Sequence, residues 1–192
     1  MAMPPRSRPG SRPDPRPRPA LDAPGLESLA LHYVARFATS GAKLADYCRR
    51  KVRERGWDAE AAPDVPALVA RFVEAGYLDD AVFAKGRAEG LRRRGYGDRR
   101  VDMALRGAGI AEEDRAGAKG DVAAAWTAAL VLARKRRFGP FAAEKPDRER
   151  RQKQLSAMLR AGHPLDIARE LIDAASEAEA LRRAEESQEA DV

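Results

Sequence analysis

Three glycines, Gly56, Gly109 and Gly162, stand 53 residues apart, and each closes a stretch whose apolar residues recur with helical spacing. Val52, Leu105 and Met158 fall in one column of that register. Cys48 and Val101 fall in another, which Gln154 breaks in the third copy. A fixed period of this kind belongs to chains built from stacked supersecondary units, in which each unit hides its apolar face against its neighbour. The expected fold class is all-α: three tandem three-helix, helix-turn-helix-like repeats in an elongated array.

The spacing within each copy agrees. In residues 26–76, Leu26, Leu29, Ala30, Tyr33, Val34 and Phe37 follow i, i+3, i+4, i+7, i+8, i+11, one apolar face of a helix. Thr39-Ser40-Gly41 interrupts it. A second helix carries Leu44, Tyr47, Cys48 and Val52, and Asp64 caps a third with Val65, Leu68, Val69, Phe72 and Val73 on one face. Residues 77–120 form the second unit. Tyr77, Ala81, Ala84, Ala88 and Leu91 line its first helix and Val101, Ala104, Leu105 and Ala108 its second, while Ala111–Gly120 predicts only a short, weak one. Gly86 and Gly90 inside the first of these helices each cost about 1 kcal/mol relative to Ala. Close approach of another helix is the expected compensation. Residues 121–174 form the third unit, with Val122, Ala125, Trp126, Ala129, Leu130 and Ala133 on its first helix, a loop bounded by Pro140 and Pro146, and two further helices.

The tails read differently. Residues 1–25 hold eight of the 13 prolines, interleaved with arginine, and predict an extended, disordered basic arm. Residues 175–192 are rich in Ala and Glu and predict an acidic tail, a helix extension or disorder. The formal net charge of +6 is uneven: the arm contributes +3 and the tail −4, so residues 26–174 carry about +7 themselves. A polyanion, or a protein surface that accompanies one, suits that charge.

Catalytic chemistry is not expected. One cysteine, Cys48, forms no internal disulfide, and His32 and His163 without a Cys-x-x-Cys give no zinc constellation. Neither histidine has a nucleophile at a telling spacing. Asp79 and Asp80 are explained by a helix start, where free N–H groups and the helix dipole favour negative charge. The glycines at 95 and 97 lack a phosphate-loop context. No cofactor, metal, membrane span or secretion signal is expected, and the location expected is the cytoplasm.

The candidate binding residues are the basic clusters at two turns. Arg92, Arg93 and Arg94 close one helix ahead of Arg99 and Arg100, with Tyr96 between them. Arg134, Lys135, Arg136 and Arg137 close another ahead of Arg148, Arg150 and Arg151, with Phe138 in the turn. Such clusters compensate helix dipoles on a solvated face, and they also bind anions while the aromatics stack on bases or cover the next core.

The order Tyr77-Leu78-Asp79-Asp80-x-x-Phe83-Ala84, then Arg94-Gly95-Tyr96-Gly97-x-Arg99-Arg100, then Leu105-Arg106-x-x-Gly109-Ile110, resembles the RecX family of bacterial recombinase regulators over roughly residues 26–174. The resemblance implies a curved array of three three-helix repeats that binds the groove of the RecA–single-stranded DNA filament. It further implies modulation, chiefly inhibition, of the filament's ATPase, strand-exchange and co-protease activities, with effects on DNA repair and the SOS response. It marks Tyr77, Leu78, Asp79, Asp80, Phe83, Gly95, Gly97 and Gly109 as fold-defining. A monomer is expected, with weak direct DNA binding as a secondary property. In the third unit the family's arginine-glycine-aromatic turn is replaced by Arg160-Ala161-Gly162-His163. The alternative is a direct DNA-binding helical module with no recombinase partner.

Overall fold

The computed structural model describes residues 19–189, so most of the expected N-terminal arm lies outside the described residues. Where that arm was expected to run to residue 25, the chain is already built into the fold. Leu21 is buried; its N–H donates to the Gly56 carbonyl (3.0 Å) and its carbonyl accepts from the Asp58 N–H (2.8 Å). The first helix, α1 (Ala23–Arg36), starts early for a local reason. The Asp22 carboxylate accepts from the Gly25 N–H at 2.8 Å, and Pro24 in the first turn lacks an N–H that the helix would not have used.

The remaining helices are α2 (Gly41–Arg55), α3 (Val65–Glu74), α4 (Asp80–Arg92), α5 (Asp98–Arg106), α6 (Glu112–Gly117), α7 (Val122–Arg136), α8 (Arg148–Arg160), α9 (Leu165–Asp173) and α10 (Glu177–Glu189), with a 3-10 turn at Gly139–Phe141. The protein is all-helical, and no strand occurs among the described residues. Ser40, Asp64, Asp79, Asp121 and Asp147 each cap a helix by accepting from a first-turn N–H group.

Burial divides the apolar residues into three clusters. The first holds Leu26, Ala30, Leu44, Cys48, Leu68, Phe72 and Leu78; the second holds Ala84, Ala88, Leu91, Val101, Leu105 and Ile110. The third and largest holds Trp126, Ala129, Ala133, Leu155, Met158, Ala168 and Leu171. Gly56, Gly109 and Gly162 follow α2, α5 and α8, and all three adopt positive φ (83°, 72° and 97°). Reversing the chain at a helix end through the left-handed region is cheap for glycine, which explains the residue type in that column.

Two expectations are corrected. Gly86 and Gly90 face no neighbouring helix: a Cβ at Gly86 would meet nothing within 4 Å, and one at Gly90 only the Arg93 guanidinium at 3.8 Å. Tyr77 lies ahead of α4 and is 56% exposed, while Leu78 takes the buried place. Beyond Ala174 the chain takes the helix-extension form among those expected: α10 folds back on α7, burying Ala180 and Ala184 in the third cluster.

Candidate nucleic-acid interface

The site is positioned by the way one unit's first turn locks onto the end of a later helix. Between α4 and α5 the chain turns through Gly95, Tyr96 and Gly97, and this turn meets the end of α8. The Gly97 N–H donates to the Ala161 carbonyl (3.0 Å), the Arg99 N–H to the Gly162 carbonyl (3.3 Å), and the His163 Nε2–H to the Gly95 carbonyl (3.0 Å). A Cβ on Gly97 would stand 2.4 Å from the Gly162 carbonyl carbon, so only glycine admits this backbone approach. His163 is fully buried, its Nδ1 has no hydrogen-bond partner, and burial lowers its pKa from the ordinary 6.5.

The turn between α1 and α2 meets the end of α5 in a parallel way. Ser40 Oγ donates to the Ala108 carbonyl (2.6 Å), the Gly41 N–H donates to the Asp80 carboxylate (2.9 Å), and a Cβ on Gly109 would stand 2.3 Å from that of Ala42. Ser40 to Ala108 and Gly95 to His163 span the same 68 residues of chain, although the earlier turn donates in the first and the residue after the later helix donates in the second. Asp79 caps α4 through the Val82 N–H (2.8 Å), whereas Asp80 faces the positive end of α2.

At the second junction the surface opens into a groove of about 350 Å³. Leu132, Phe138, Ala157 and Ala161 line it, together with Arg94, Tyr96, Arg100, Lys135, Arg136 and Arg160. A second concavity shares Arg94, Tyr96 and Arg100 and adds Arg87 and Met103. No carboxylate lines either one, and none of these six cations is in an ion pair among the described residues. Tyr96 is 36% exposed at the point the two share. Unpaired cations converging around an aromatic ring can neutralise phosphate or carboxylate charge and offer a face for stacking.

The sequence-predicted residues therefore separate. Arg94, Tyr96, Arg100, Lys135 and Arg136 come together in the groove. Arg92 does not: its side chain is 14% exposed and forks onto Asp98 (2.9 and 2.7 Å) and the Ala118 carbonyl (2.7 Å). Arg93 is exposed with Glu89 at 3.7 Å, and Arg99 lines a different concavity between α5 and α6. Arg134 lies 5.4 Å from the Phe141 ring centroid, Arg137 is exposed with φ 54°, and Arg148 is exposed in the first turn of α8. Arg151 is held by Asp173, whose carboxyl it keeps below the usual range. Arg87, Met103 and Arg160 were not singled out as binding residues. Arg160 carried a signal, since it ends a central helix as the Arg160-Ala161-Gly162-His163 turn begins.

No family model matches the chain. Over 157 residues it is 36% identical to regulatory protein RecX of Myxococcus xanthus (strain DK1622), covering 77% of this chain and 84% of that one. Over 142 residues it is 32% identical to regulatory protein RecX of Agrobacterium fabrum (strain C58), covering 72% and 76%. A crystal structure of regulatory protein RecX superposes with a TM-score of 0.53 at 20% identity, covering 78% of this chain and 72% of that chain, a likeness of fold.

Proposed function

Because this chain belongs to the RecX family of regulatory proteins, we propose that it binds the RecA–single-stranded DNA filament and inhibits its ATPase, strand-exchange and co-protease activities. The observation that carries this reading is the groove and the adjoining concavity around Tyr96, where six cations gather with no lining carboxylate. A helical nucleoprotein filament offers phosphates and acidic protein surface at one place, and such a groove meets both. The protein acts without catalysis of its own, as a cytoplasmic monomer that damps DNA repair by recombination and the SOS response. Its junctions hold the groove in one shape while successive units reach neighbouring recombinase subunits.

The test is the single-stranded-DNA-dependent ATP hydrolysis of the cognate recombinase with this protein titrated well below stoichiometry. A steep fall is expected, and the double reversal Arg94→Glu with Arg100→Glu should raise the amount required by roughly tenfold or more. Reversal of Arg93 and Arg99, which lie outside the groove, should leave it within about twofold. No fall in hydrolysis, together with tight, steeply salt-dependent binding to DNA alone, would overturn the regulator reading in favour of a direct DNA-binding module.

A further inference from the structure

The first unit carries a second feature that the groove does not use. At the end of α1 and along one side of α2, three aromatic rings stand in a row. Tyr33 stacks on Tyr47 with ring centroids 4.2 Å apart and an interplanar angle of 17°, and Phe37 packs tilted against Tyr33, at 5.4 Å and 48°. Tyr33 and Tyr47 are half-buried and anchored on the first core, while Phe37 ends the row 52% exposed. Cations attend the rings: Arg36 is 6.0 Å from the Phe37 centroid, and Arg50 and Lys51 are 5.4 and 5.8 Å from that of Tyr47. Lys43, one turn before Tyr47 on α2, reaches across the junction to within 5.5 Å of the Phe83 centroid.

The core uses Tyr33 and Tyr47 but leaves the Phe37 end of the row uncovered. A core-covering aromatic would be buried, and Phe37 is not. Of the cations, Arg50 and Lys51 share the single carboxylate of Glu54, and Arg36 and Lys43 have no ion-pair partner among the described residues. The surplus is positive and lies beside an open ring. Helix α2 itself carries six basic residues against Asp46 and Glu54.

We propose that this aromatic row is a stacking platform for single-stranded nucleic acid. An unpaired base stacks on the half-exposed Phe37 ring, displacing the Arg36 guanidinium that lies over it, while Arg36, Arg50 and Lys51 take the adjoining phosphates. Stacking on an exposed aromatic ring with cations alongside tolerates any base, which suits a protein that meets strands of every sequence. Duplex DNA offers no unpaired face, so the platform selects single strands. Charge complementarity favours nucleic acid over an apolar protein segment as occupant. In resting on single-stranded nucleic acid as part of the target, this assignment depends on the function proposed above, and it adds a contact in a different unit from the groove.

The experiment uses the full chain, without recombinase, titrated into a labelled single-stranded oligonucleotide at low ionic strength and followed by anisotropy. Phe37→Ala should weaken binding by about tenfold and Phe37→Trp should preserve it. An oligonucleotide of the same length with abasic sites should bind Phe37→Ala and the wild type alike. In Phe37→Trp, the oligonucleotide should quench emission beyond the change seen in the wild-type chain with its two tryptophans. Unchanged affinity in Phe37→Ala, or equal loss on the abasic strand, would overturn the platform. Weakened co-sedimentation of that variant with the recombinase filament, without a change in oligonucleotide affinity, would assign the surface to protein and overturn it too. Because hydrolysis reads the groove and anisotropy reads the platform, either proposal can fail alone.

Discussion

Arg92, Arg93 and Arg94 follow one another at the end of α4, yet Arg92 alone is built into the interior, forked onto Asp98 and the Ala118 carbonyl. Removing it leaves a half-buried carboxylate and a carbonyl without their donor. Arg92→Ala should therefore cost about 2 kcal/mol in urea unfolding, whereas Arg94→Ala, at the groove surface, should cost under about 0.5 kcal/mol. Sequence alone could not separate the three, because the separation depends on which way the Gly95 turn swings Asp98. His163 makes the same point. Its Nε2–H bonds to Gly95, 68 residues earlier, and no local pattern announces that contact. Burial lowers its folded pKa below the ordinary 6.5, so the unfolded chain takes up its proton first as pH falls. The stability that depends on neutral His163 is complete above about pH 6.5 and is lost below it. The urea midpoint should fall between about pH 7 and pH 5 in the wild type, and His163→Gln should flatten that slope.

At the scale of the element, helix positions were legible because the helices carry a 3.6-residue apolar period and, at Asp64 and Asp79, an oxygen-bearing cap that the structure shows accepting from the first turn. The short α6 was legible too, as a segment with little apolar face. The packing of α10 was not, since its contact on α7 uses alanines, which differ little from the alanines of a frayed tail. The glycines of α4 were misread because a helix-interior glycine looks the same whether it admits a neighbour or faces solvent. That difference is measurable. Gly86→Ala meets open space and should stabilise the protein by about 1 kcal/mol. Gly97→Ala, whose Cβ would collide with the Gly162 backbone, should destabilise it by about 1–3 kcal/mol in the same unfolding assay.

For the whole molecule the junctions decide how the two binding surfaces act together. The groove lies where the α4–α5 turn meets α8, and the platform lies beside the turn that meets α5, so each depends locally on its own unit and jointly on what holds the units in register. The basic surplus of the chain was legible from composition. The geometry that concentrates it was not, because Arg94, Lys135 and Arg160 come from three different helices or turns and meet only through packing. A target long enough to engage both surfaces gains effective concentration from a rigid junction, and a short strand engaging one surface does not. Asp80→Ala tests this. It removes the acceptor that the Gly41 N–H uses across the first junction and should cost about 1–2 kcal/mol of stability. Affinity for a short single-stranded oligonucleotide should stay within about twofold of wild type, since the groove and Phe37 are untouched. Potency against recombinase ATP hydrolysis should drop several-fold, because the linked contacts no longer share one register. Equal losses in both assays would mean that Asp80 supports the surfaces themselves, and unchanged potency would mean that one surface suffices for the filament.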